Sequence, residues 1–238
     1  VKYALITGAS GGIGREIAIA LAKEGYCLYL HYHTNEQSID DLREHLASTQ
    51  TWKIKANLAA KTGVSKILEA IPTSIDVLVL NSGNSYVGLM TDMEDTQVEE
   101  MIQLHLTSPF LLTKALLPLM VQKKAGNIVA VSSIWGVTGA SCEVLYSTLK
   151  GGLNTFVKAL AKEVAPSGIR VNGVAPGAIA TKMMGNFSDD EIESLCDEIP
   201  MGRLGEPKEV AALIAFLISN QAPYLNGQII NINGAWYC

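Results

Sequence analysis

Apolar runs of strand length alternate with amphipathic stretches of helix length along the whole chain, and that alternation leaves few architectures open. The run KYALIT meets a glycine cluster, after which GREIAIALAKEG carries apolar residues at helical spacing with Gly25 as a stop. CLYLHY and the helical EQSIDDLREHLAS follow, then WKIKAN and a short helix near Thr62 to Ala70. IDVLVLN leads into a long helical region from about Thr96 to Lys124, with a disturbance expected at Pro109, which has no N–H to donate. GNIVAVSS precedes the helical EVLYSTLKGGLNTFVKALAKEVA, which carries two glycines, and IRVNGVAPG reads as a strand broken at Pro176. A polar segment, a helix over Pro207 to Ser219 and the strand GQIINI close the series. About seven strands with intervening helices predict an α/β fold, a doubly wound parallel sheet with helices on both faces. No linker, repeat or low-complexity tract interrupts the 238 residues, so residues 1–238 read as one domain.

Composition agrees with that architecture. Hydrophobic residues make up 48% of the chain, as suits strands buried on both faces. No apolar stretch is read as reaching the ~20 residues of a membrane span; VAALIAFLI (Val210 to Ile218) reads as a core helix. The opening strand predicts that no signal peptide precedes the fold. A net charge of −5 argues against a nucleic-acid surface, and Lys123–Lys124 reads as a solvated helix end. Four cysteines (Cys27, Cys142, Cys196, Cys238) are scattered without metal spacing, which predicts no metal and a reducing, cytoplasmic setting. HYH, from His31 to His33, reads as a strand end rather than a metal site.

Between the first strand and first helix lies ITGASGGIGREIA, in which Gly8, Gly12 and Gly14 have the spacing GxxxGxG. Glycines permit positive φ and close backbone approach, and the helix that follows offers free N–H groups and a positive dipole end to an anion. A pyrophosphate suits that place, and the strand-before, helix-after context raises this reading above that of a mere tight turn.

The spacing resembles that of the short-chain dehydrogenase/reductase family, and the resemblance continues along nearly the whole chain. LNSG (Leu80 to Gly83) resembles the family's Asn-Asn-Ala-Gly segment, with Leu80 in place of the first Asn. Ser133 precedes Tyr146 by thirteen residues, and Tyr146 precedes Lys150 by four. VAPGAIAT (Val174 to Thr181) resembles the Pro-Gly segment beside the nicotinamide. RVNGVAPGAIATKM, IPMGRLGEPKEVA and LNGQIINING look like the C-terminal third of the 3-oxoacyl-(acyl-carrier-protein) reductases. The resemblance implies a Rossmann-type dinucleotide-binding and catalytic domain, reduction of a ketone to a secondary alcohol and a homotetramer.

One helical turn puts Tyr146 and Lys150 on the same face. The resemblance implies that Tyr146 donates a proton to the ketone oxygen, with a nearby ammonium expected to lower a phenol pKa of ~10. It also implies that Lys150 holds the nicotinamide ribose and that Ser133 hydrogen-bonds the ketone oxygen, leaving Ser132 as a structural serine. His105 stands where the family usually has an Asn in a proton relay to the lysine; it is a catalytic candidate or a packed helix histidine.

For the cofactor, the candidates are Gly8, Ser10, Gly11, Gly12, Ile13 and Gly14 in the loop, Asn57 and Leu58 after the third strand, and Asn81, Ser82 and Gly83 after the fourth. Tyr146, Lys150, Pro176, Gly177, Ile179 and Thr181 complete the set. The second strand ends in Tyr32, His33 and Thr34, with no acid to bind a ribose 2′-hydroxyl and none to repel a 2′-phosphate. NADPH is therefore expected, with NADH as the alternative; Gly11 stands where many NADP-preferring relatives have Arg or Lys.

On the substrate side, Glu143 and Trp135 are the candidates. Ser188 is expected to cap an acidic helix. A polyanionic acyl carrier protein would favour a basic mouth, and only Lys123, Lys124, Lys182 and Arg203 offer one. Glu143, where relatives often have Gln, would suit a cationic substrate. SSIWGVTGASCEVLYS resembles reductases of an aminoketone on a modified lysine of elongation factor P, the alternative substrate. A non-catalytic dinucleotide sensor is the alternative of another class.

Overall fold

The computed structural model describes residues 1–238, apart from the side chains of Met183 and Asn186. Seven strands form one parallel sheet in the order β3-β2-β1-β4-β5-β6-β7. They are β1 (Lys2–Ile6), β2 (Tyr26–Tyr32), β3 (Thr51–Lys55), β4 (Val77–Leu80), β5 (Gly126–Val131), β6 (Ile169–Pro176) and β7 (Ile229–Ile232). Ala4 of β1 lies beside Leu28 of β2 on one side and Val77 of β4 on the other. The strand order therefore reverses at β1/β4, where an open crevice forms beyond the carboxyl ends of the strands.

Alternation within each strand decides which helices cover which face. Ile6, Leu28, Leu30, Val77 and Val79 pack with Ile17 and Leu21 of α1 (Gly12–Lys23), Ile39 of α2 (Glu36–His45), and Ile214 and Leu217 of the C-terminal helix Pro207–Ile218. Leu5, Leu78 and Ile128 point the other way, toward Ile67 of α3 (Gly63–Glu69) and the helices that carry Leu112, Leu116, Leu153 and Val157. Each such buried side chain contributes about 1.5–3 kcal/mol relative to leaving it in water.

The long helical region is where the sequence expectation needs refinement. It comprises α4 (Asp95–Ile102), a π-helical turn over Gln103–Thr107 and α5 (Ser108–Lys123). The distortion lies before Pro109. That residue has no N–H to donate four residues back to His105, and the Ser108 N–H donates to the Gln103 carbonyl, five residues back. Pro118 is accommodated inside α5. By length and mean hydropathy of 1.4, Asp95–Lys123 is apolar enough for a membrane span, contrary to the expectation that no stretch qualifies. Its Leu112, Leu116 and Met120 pack against the sheet instead.

A short helix α6 (Trp135–Thr138) and the long α7 (Val144–Val164) follow β5. A Cβ on Gly152 would stand 3.2 Å from Leu106, so one of the two glycines in α7 gives the π-helical turn room to approach. Ser188 caps α8 (Asp189–Glu198) in a capping box with Glu191, as expected. The C-terminal helix is α9 (Pro207–Ile218). Pro176 is tolerated because it ends β6, and its carbonyl accepts the Ile134 N–H at 3.0 Å.

Candidate active site

The phosphate loop joins β1 to α1. Gly8 has φ +68°, a conformation that favours glycine. A Cβ on Gly14 would lie 2.2 Å from the Gly8 carbonyl oxygen, so only glycine lets α1 begin there. Gly11 is the N-cap of α1 and brings no side chain to its first-turn amides. Those amides are left for an anion, and the cradle fits a dinucleotide pyrophosphate. Across the cradle, Thr181 Cγ2 lies 3.0 Å from where a Gly12 Cβ would be.

The loop is held from beneath by residues beyond the predicted set. Thr7 is buried, and its hydroxyl donates to Val79 O (3.2 Å) while accepting the Asn81 and Ser82 N–H groups (2.9 and 3.1 Å). The Asn81 amide donates to Thr7 O and Gly8 O at 2.9 and 3.1 Å. The Asn81 NH2 group thus braces the loop. Ser38 of α2 donates to Ser10 O at 3.1 Å. Ile13 is half-buried at the start of α1.

Other predicted cofactor residues divide by position. The Tyr32 ring is buried among core residues and its hydroxyl lies beside the Glu36 carboxylate, so burial first and Glu36 second push its pKa up. His33 and Thr34 are exposed at the end of β2. The Asn57 carboxamide accepts the Ala59 N–H at 2.9 Å, and the buried Leu58 presents its carbonyl to Ser108 at 2.6 Å. Ile179 is buried and bridges to Gly205. Gly177 packs where a Cβ would lie 2.9 Å from Asn233, at the end of the crevice set by Pro176.

Ser133, at the end of β5, and Tyr146 and Lys150, on one face of α7, converge beside this crevice. Ser133 lies near enough to the Tyr146 hydroxyl to lower its pKa, and its own hydroxyl oxygen accepts the Trp135 N–H at 3.2 Å. Tyr146 is half-buried; burial pushes its pKa up to about 12, the neighbouring Ser133 opposes this, and the Glu143 charge adds to it. Lys150 is buried; its Nζ donates to Val131 O at 2.9 Å and lies 5.5 Å from the Tyr146 ring centroid. Burial pushes the ammonium down to about 8. The expected acidification of Tyr146 by Lys150 is therefore not met: the ammonium faces the ring and a strand carbonyl, and desolvation of the hydroxyl dominates. Ser132 donates to Lys150 O at 3.3 Å, the structural part expected of it.

His105 projects from the π-helical turn into the same place. It is 1% exposed, and its ring meets Tyr146 edge-on with centroids 5.6 Å apart. Nε2 lies 3.1 Å from Asn84 Oδ1, whereas Nδ1 has no partner among the described residues. Burial, then the Lys150 charge, push its pKa down to about 3, so the ring is neutral. His105 and Lys150 both flank Gly83: a Cβ there would lie 2.8 Å from His105 Cε1 and 3.7 Å from Lys150 Nζ.

Glu143 and Trp135 meet at the outer side. The Glu143 carboxyl is half-buried and pushed above the usual carboxylate range by burial, an effect opposed by the nearby Trp135. Trp135 packs edge-on against Trp236 and Tyr237, with centroids 5.2 and 5.5 Å apart. These C-terminal aromatics carried no motif in the sequence, and only the folded sheet brings them to α6. Among the described residues, Lys182 and Arg203 do not form a basic patch: Arg203 pairs with Glu209 at 2.7 Å.

The sequence profile of the family described as enoyl-(acyl carrier protein) reductase matches residues 8–235. The chain is 54% identical to the uncharacterized oxidoreductase YmfI of Bacillus subtilis, over 100% of this chain and 99% of that protein. It is 36% identical to the 3-oxoacyl-[acyl-carrier-protein] reductase FabG of Escherichia coli (99% and 97% of the two chains). It is 37% identical to its namesake in Aquifex aeolicus, over the same shares.

Proposed function

The chain belongs to the short-chain dehydrogenase/reductase family and is a nicotinamide-dependent oxidoreductase acting on carbonyls, and on that premise we propose that it reduces a ketone to a secondary alcohol with NADPH. The observation that supports this reading is the gathering of Ser133, Tyr146 and Lys150, the last one turn along the same helix with its Nζ 5.5 Å from the Tyr146 ring, beside the glycine cradle.

The phosphate loop, Asn57, Ser82, Gly83 and the Pro176–Thr181 segment would hold the dinucleotide, and Lys150 its nicotinamide ribose. Bound NADPH supplies hydride. The Ser133 and Tyr146 hydroxyls hold the ketone oxygen, and Tyr146 gives it a proton. A hydroxyl with a pKa of about 12 is fully protonated near neutrality, so Tyr146 stands loaded as a donor. Lys150, at about 8, is the group best matched to restore that proton.

The leading substrate reading is a 3-oxoacyl thioester on an acyl carrier protein, supported by the named relatives. A second reading is favoured by one observation. A half-buried carboxyl near Trp135, whose indole packs on Trp236 and Tyr237, suits an ammonium-bearing ketone such as an aminoketone on a modified lysine of elongation factor P. Steady-state reduction of an acetoacetyl thioester and of a small amino-ketone, each with NADPH and with NADH, tests both readings. Cofactor binding with no turnover of either ketone would favour a dinucleotide sensor.

Ile102, Phe110, Leu111 and Leu119 form an exposed apolar face along α4 and α5. A homotetramer that covers this face is part of the proposal. A cytoplasmic location accords with the four free cysteines.

A further inference from the structure

His31 lies beneath the phosphate loop, and the chemistry above leaves it without a role. It sits near the end of β2, 2% exposed. Its carbonyl accepts the Ala9 N–H at 2.8 Å, and its Nδ1 lies 3.0 Å from the Gly8 nitrogen. Nε2 lies 3.1 Å from the Ala56 carbonyl, just beyond β3, and the Ser82 hydroxyl approaches Nδ1 at 3.4 Å.

The partners determine the tautomer. A carbonyl only accepts, so Nε2 carries the hydrogen. A backbone N–H only donates, so Nδ1 is bare. One neutral form satisfies both, and protonation would set two N–H groups against each other at Gly8. Burial keeps the ring in that form, with a pKa pushed down to about 4. Side chain and carbonyl together fix two successive amides of the loop, at Gly8 and Ala9. Gly8 in turn presents its carbonyl to Gly11 N–H (3.2 Å) and to the Asn81 amide, and that carbonyl lies under Gly14. The orientation of the Gly8 peptide thus determines where α1 begins and where its free amides point.

We propose that His31 is a positioning residue for the dinucleotide: its unprotonated Nδ1 anchors Gly8 and so pre-sets the loop that receives the pyrophosphate. The inference rests on the reading of the loop as a dinucleotide site. It assigns His31 to cofactor affinity and not to the ketone chemistry.

Two variants separate this role from simple core packing. In His31→Asn the amide oxygen falls near Nδ1, accepts the Gly8 N–H and leaves Ala56 unbonded. In His31→Gln the amide reaches Ala56 O and leaves Gly8 without an acceptor. Each loses one buried bond, so their urea midpoints should be similar. NADPH affinity, measured by calorimetry on the ligand-free protein, should weaken about tenfold or more in His31→Gln and less than about threefold in His31→Asn. Turnover at saturating NADPH should stay within about twofold of wild type in both. Equal affinities in the two variants, with wild type binding NADPH normally, overturn the assignment alone. Wild-type protein that binds neither NADPH nor NADH overturns the functional reading and this inference with it. Should His31→Gln not fold, ¹⁵N shifts of the wild-type imidazole decide: hydrogen on Nε2 supports the anchor, and hydrogen on Nδ1 refutes it.

Discussion

Replacing Lys150 with Met should make the protein more stable while removing its activity. The Lys150 ammonium is buried with no carboxylate beside it, and its one hydrogen bond is to Val131 O. Its pKa falls from 10.5 to about 8 in the folded protein. At about 1.36 kcal/mol per pKa unit, holding the charge inside costs roughly 3 kcal/mol at pH 7. Met fills similar volume without a charge but leaves Val131 O without that bond, a loss of about 1–2 kcal/mol. The net gain is about 1–2 kcal/mol. The sign with pH follows from linkage. Below about pH 8 lysine is protonated in both states and the penalty is constant. Between about 8 and 10.5 the unfolded chain binds the proton and the folded one does not, so wild-type stability rises with pH. The advantage of Lys150→Met should therefore narrow by about 2 kcal/mol between pH 7 and pH 9.5. Urea unfolding of both proteins at the two pH values, with ketone-dependent NADPH oxidation as the activity control, measures this. A variant less stable than wild type at pH 7, or a stability difference that does not change with pH, would refute the reasoning.

Glu143→Gln should lower the preference for an amino-ketone over a neutral ketone of equal size by about tenfold in kcat/KM, roughly 1.4 kcal/mol; an unchanged ratio removes the carboxylate from substrate choice. Gly14→Ala drives a Cβ to 2.2 Å from Gly8 O and should weaken NADPH binding more than tenfold while destabilising the fold by about 1–3 kcal/mol, readable by calorimetry and urea unfolding. Phe110→Glu, on the exposed face of α5, should shift the protein to a smaller assembly by light scattering. A wild type already monomeric at micromolar concentration contradicts the assembly reading.

The fold was largely legible because a parallel sheet buried on both faces writes its strands as apolar runs, and because Gly8, Gly12 and Gly14 mark the first turn. That Ser133, Tyr146 and Lys150 come together was legible from their spacing along one strand end and one helix. Three features were not. The π-helical turn depends on a carbonyl that Pro109 leaves unserved, and its effect appears several residues upstream. Tyr32 alternates with His31 along β2, so the tyrosine ring packs in the core on one face while the histidine read as a mere strand end supports the loop on the other. The electrostatics of Tyr146 could not be read from its distance to Lys150 in sequence, because burial of each group outweighs their mutual effect.

The central claim is that the Tyr146 hydroxyl gives a proton to a ketone held beside NADPH. Its most direct test is single-turnover reduction of a ketone by wild type and by Tyr146→Phe, each preloaded with NADPH. The account predicts a reduction step slower by about 10²–10⁴-fold in the variant with NADPH bound. A variant that reduces the ketone at the wild-type rate would contradict it.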